Sequence, residues 1–75
     1  MSEKLPRVTA KQIIAVVQSR GFLFSRSSGS HQIFKNADGK RVTVPFHAQK
    51  ILHPKVLKSI LRDAEMTPAE LKKLL

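Results

Sequence analysis

The 75-residue chain predicts an α+β domain, and three observations carry that expectation. Two stretches have apolar residues at helical spacing, one near each end. Between them lie three short runs rich in β-branched and aromatic residues, separated by turn-forming residues. A chain of this length makes one domain, 1–75, which buries roughly 60% of the surface of its unfolded form.

Residues 1–8 read as a polar, proline-containing lead-in. Thr9-Ala10-Lys11-Gln12 has the form of a capping box. Apolar Ala10, Ile13, Ile14 and Val17 follow as a stripe, with Gly21 placed to stop a first helix of about Ala10–Arg20. Phe22–Ser25 is the first strand candidate, and Ser27-Ser28-Gly29-Ser30 has turn composition. His31–Lys35 is the second strand, and Asn36–Gly39 is a hairpin loop. Arg41–Pro45 alternates and is β-branched, and its final proline marks a strand end or sheet edge. His53-Pro54 opens a second helix with proline in its first turn. Its stripe is Leu57, Ile60, Leu61 and Ala64, with Lys55, Lys58, Ser59 and Arg62 facing water. Thr67-Pro68-Ala69-Glu70 is a second capping box. It starts a short helix with Leu71, Leu74 and Leu75 on one side.

The order α-β-β-β-α plus a terminal helix suggests a three-stranded antiparallel sheet with both main helices on one face, so that both stripes are buried. Double-stranded-RNA-binding domains share that topology, which by itself assigns no function.

Charge is the strongest functional signal. Fourteen Lys and Arg face five acids, a formal net charge of +9, and between Lys4 and Arg62 twelve bases accompany a single acid, Asp38. Such a field attracts polyanions. Cysteine is absent, which removes disulfides and thiolate metal sites and suits a reducing compartment. No apolar run reaches the ~18 residues of a membrane span, so the expectation is a soluble, cytoplasmic protein. His31, His47 and His53 match no common metal-ligand spacing, and the acids form no paired-carboxylate site. Neither a metal nor a small-molecule cofactor is expected.

His31 stands at the mouth of a strand after a Ser-Gly-Ser turn, among cations. A neutral imidazole there can take a proton from a ribose 2′-hydroxyl while lysines or arginines stabilise the charge on phosphorus. It can equally be a surface histidine paired with a turn carbonyl. Gly29 and Ser30 free the backbone to approach a phosphate. Arg26, Lys35, Lys40 and Arg41 border the same turns and are candidate RNA contacts. His47 is a candidate for gripping phosphate or protonating a leaving oxygen, with a loop role as the alternative, and His53 reads as a helix cap. Phe22, Phe24, Phe34 and Phe46 read as core rather than as base-stacking platforms.

Several stretches, in this order and spacing, resemble the HicA toxin family: Gly21-Phe22; Gly29 to Phe34; Asp38 to His47; and Leu57 to Ala64. The resemblance covers about Val8 to Leu75. It implies a double-stranded-RNA-binding-domain-like fold, metal-independent endoribonuclease cleavage of mRNA that arrests growth, and a HicB-type antitoxin covering the active face. The family's catalytic histidine falls on His31, Gly29 and Ser30 on the turn presenting it, and His47 on a frequent family position. The chain departs from the pattern at Lys55-Val56, where many members have Gly-Thr, and at Glu65-Met66, where many have Gly-Leu. Both departures lie at the ends of helix two. A non-catalytic basic RNA-binding module of the same fold is the alternative reading, and an adaptor for an acidic protein is the third.

Overall fold

A computed structural model describes residues 5–47 and 50–75. The elements are α1 (Ala10–Ser19), β1 (Leu23–Ser28), β2 (His31–Lys35), β3 (Arg41–Pro45), α2 (Pro54–Asp63) and α3 (Pro68–Leu74). The strands form one antiparallel sheet in the order β1-β2-β3. The expected α+β architecture is therefore present, with β2, β3 and both capping boxes where the sequence puts them.

Local chemistry explains the helix ends. Thr9 Oγ1 accepts from the Gln12 N–H at 3.2 Å, and Gln12 Oε1 accepts from the Thr9 N–H at 2.8 Å. His53 caps α2, its Nδ1 accepting from the Lys55 N–H at 3.1 Å. Thr67 and Glu70 repeat the capping box at α3. The Thr67 N–H donated to Glu70 is the main reason its carboxyl sits below the ordinary carboxylate range. Arg20, also paired with Glu70, adds to this.

Both main helices end in the same motif. Phe22 N–H donates to the Val17 carbonyl and Gly21 N–H to that of Gln18, while Met66 donates to Leu61 and Glu65 to Arg62. The motif needs a left-handed residue before its final donor. Gly21 takes that place after α1, but after α2 it is Glu65, with φ +55°. With a full side chain at this position, helix two keeps its end at the cost of a strained backbone. Lys40 forms an ion pair with the Glu65 carboxylate.

Phe34, Val42 and Val44 from the sheet, Ile13, Val16 and Val17 from α1, and Leu57, Ile60 and Leu61 from α2 form one buried cluster. Both helices lie over β3. Several expectations are corrected here. Val16 joins the α1 stripe, while Ile14 is only partly buried. Val8 is fully buried and its carbonyl accepts from the Leu52 N–H at 2.8 Å, so this part of the lead-in is structural. Residues 1–4 of that segment lie outside the described residues. On α3 only Leu71 is buried, and Leu74 and Leu75 are exposed. Phe22 and Phe34 are core and Phe46 packs against it, but Phe24, on the outer strand, is 54% exposed.

Relief of the Glu65 strain is measurable. Glu65→Gly and Glu65→Ala both lose the Lys40 pair, and only glycine accepts the left-handed backbone freely. Urea denaturation is expected to find the glycine variant more stable by about 1 kcal/mol; equal midpoints would remove the strain argument.

Candidate active site

Successive strand residues point to opposite faces, and residues directly opposite across a ladder share a face. Phe34 and Val42 are partners and belong to the core, so the residues alternating with them face away from the helices. Three rows cross this open face. They are Ser28–His31–Pro45, Arg26–Ile33–Thr43 and Leu23–Lys35–Arg41. His31 thus shares one surface with Arg26, Lys35 and Arg41, and all four are exposed.

Two local features of β1 produce this arrangement. The first is the turn. β1 runs to Ser28, three residues beyond the expected strand, leaving Gly29-Ser30 as a two-residue hairpin loop. Gly29 has φ +59° and Ser30 has no positive φ, the pattern of a type II′ turn with glycine first. The second feature is a bulge. Phe24 is opposite Phe34 while Arg26 is opposite Ile33, so Ser25 is an extra residue. Without it, Ser25 would stand opposite Ile33 and Arg26 would turn toward the helix side.

The open face carries unneutralised positive charge. The two ion pairs among the described residues, Arg20–Glu70 and Lys40–Glu65, lie off it. Lys35 and Arg41 stand directly opposite one another, a like-charge arrangement that costs stability in an isolated sheet. Beneath them Ile33 is 8% exposed and is not part of the main core.

The remaining predicted residues divide. Lys40 is in the β2–β3 loop, its N–H donated to Asn36 Oδ1 at 2.8 Å and its ammonium paired with Glu65, away from the His31 rows. His47 follows β3 and is exposed. Just before it, the Phe46 N–H donates to the Ser30 carbonyl at 2.7 Å, tying this segment to the turn that presents His31. Ser28 and Pro45, which flank His31, were not singled out from the sequence. Reading Gly-Ser as a two-residue turn would have found Ser28, because it extends β1 to that position.

A family model described as the HicA toxin of bacterial toxin-antitoxin matches residues 10–66, from the start of α1 to the turn after α2. The chain belongs to the HicA toxin family. The match takes in all three strands, the open face and both main helices, and leaves α3 outside. Membership makes this HicA-type chain the toxin of a toxin–antitoxin pair, with an antitoxin as its partner. No curated protein matches the chain. Among the described residues no helix is long and apolar enough to cross a membrane.

The turn before His31 depends on backbone conformation rather than space. A Cβ on Gly29 would meet nothing within 4 Å, yet φ +59° disfavours an L side chain. Gly29→Ala is therefore expected to destabilise the domain by about 1–2 kcal/mol in urea titrations, and an unchanged midpoint would rule out a turn that needs glycine.

Proposed function

We propose that this HicA-family chain is a metal-independent endoribonuclease that cleaves mRNA in the cytoplasm with His31 as general base. A HicB-type antitoxin neutralises it by covering the open sheet face. One observation carries the proposal: an exposed histidine shares a strand face with three cations that have no carboxylate partner among the described residues.

RNA lies across the open face with phosphates against Arg26, Lys35 and Arg41, which offsets the like-charge opposition between the last two. Gly29 and Ser30 keep the approach to His31 unobstructed. Its neutral imidazole takes the proton of a ribose 2′-hydroxyl, and the oxygen attacks the adjacent phosphorus, displacing the 5′-oxygen, which takes up a proton, and leaving a 2′,3′-cyclic phosphate. The arginines stabilise the charge that develops on the phosphoryl oxygens. Histidine and cationic side chains of the chain itself serve this step, and no metal or small-molecule cofactor is invoked. An antitoxin of opposite charge would associate fast and mask His31.

His31→Ala is expected to lower RNA cleavage in chelator by on the order of 10²–10⁴-fold while retaining binding. The same substitution should abolish growth arrest on controlled expression. Cleavage equal to wild type would remove the catalytic role. A wild type that binds RNA without cutting it would leave the non-catalytic module.

Binding itself has a signature that separates Lys40 from the other cations. Removing any one of Arg26, Lys35 or Arg41 should flatten the slope of log affinity against log salt by about 0.7 for single-stranded RNA. Lys40→Ala should leave the slope near that of wild type. Equal changes at all four positions would contradict an RNA path confined to the open face.

A further inference from the structure

We propose that His47 is the general acid of the same reaction, donating a proton to the 5′-oxygen that leaves as His31 removes the 2′ proton. The inference rests on the ribonuclease reading above and adds its second half. Attack by the 2′-oxygen is in line with departure of the 5′-oxygen, so the two proton transfers occur on opposite sides of phosphorus. One imidazole cannot serve both at once.

The geometry supplies a second. His31 is opposite Pro45, and the bond from the Phe46 N–H to the Ser30 carbonyl continues the β2–β3 register one step further. Phe46 packs against the core, so its side chain is on the helix side. Carrying the strand alternation past the end of β3 puts His47, which is exposed, on the side of His31. It is then the diagonal neighbour of His31, a relation that in a regular ladder leaves Cβ atoms somewhat less than about 7–8 Å apart. That gap admits a phosphodiester while letting both rings reach it. The His47 carbonyl accepts from the Lys50 N–H at 2.9 Å, which holds its backbone.

The other nearby histidine is committed elsewhere. His53 Nδ1 accepts from the Lys55 N–H as the cap of α2. His47 and His53 both line a cavity of 170 Å³ at the start of α2, walled also by Pro45, Lys50, Ile51, Leu52 and Val56. The cavity adjoins Pro45, the residue opposite His31.

The step balances. The 2′-oxygen–phosphorus bond forms and the phosphorus–5′-oxygen bond breaks. His31 gains the 2′ proton, and protonated His47 gives its own to the 5′-oxygen. The products are a 2′,3′-cyclic phosphate and a 5′-hydroxyl, and solvent returns each histidine to its starting state without oxidation or reduction.

The test uses the full chain and an oligonucleotide with one cleavable ribonucleotide, made with either oxygen or sulfur at the bridging 5′ position. A thiolate departs without protonation. Wild type, His31→Ala, His47→Ala and His47→Gln are compared, with circular dichroism confirming that each folds. Both His47 variants should cut the oxygen substrate on the order of 10²–10⁴-fold more slowly than wild type. On the sulfur substrate they should come within about tenfold of it, whereas His31→Ala stays slow on both. Equal slowing of the His47 variants on both substrates would reduce His47 to a phosphate contact, and wild-type rates on both would make it a solvated loop residue. Either result overturns this inference and leaves His31 in place. A wild type inert on both substrates overturns the ribonuclease reading as well.

Discussion

The burial of Phe34 fixes the rest. It is 1% exposed, stands opposite Val42, and meets Phe24 edge-on with ring centroids 5.8 Å apart. Because strand side chains alternate, this one inward residue sends His31, Ile33 and Lys35 outward. A slip of one residue would put His31 against the helices and Phe34 in water. In so small a domain, truncating a buried phenylalanine costs about 3–5 kcal/mol, which is a large share of total stability. The register of β2, and with it the site, is held by the core rather than by the turn alone.

Charge is sorted along the same division. Glu65 and Glu70 pair with Lys40 and Arg20, while Arg26, Lys35 and Arg41 on the open face have no such partner among the described residues. A fold seeking only its own stability would gain by placing an acid opposite Lys35. The arrangement instead leaves a field for something negatively charged.

Strain marks the two ends of this system unequally. Gly29 takes its positive φ without a side chain to resist it, and the hairpin turns tightly enough to aim His31. Glu65 adopts a similar φ with a full side chain, and its carboxylate gains Lys40 in exchange. The strain at Glu65 therefore has a local compensation. It leaves the open face untouched, because Lys40 points away from it.

Much of the fold was legible in the sequence because its signals are local. Capping boxes, helix-stopping Gly21, the β2 and β3 alternation and the proline after His53 each act within a few residues. The place of His31 at the start of β2, directly after Gly29 and Ser30, was legible for the same reason. The length of β1 was misjudged because Ser27 and Ser28 have turn composition yet pair with β2, and pairing is a tertiary fact. Lys40 looked equivalent to Arg41 by proximity, and its partner Glu65 lies 25 positions further along. The amino-acid order alone determined which elements form and that the chain is basic. Tertiary structure decided which cations stand beside His31, since that depends on an unpaired Ser25 rotating Arg26 onto the open face and on a distant carboxylate drawing Lys40 off it.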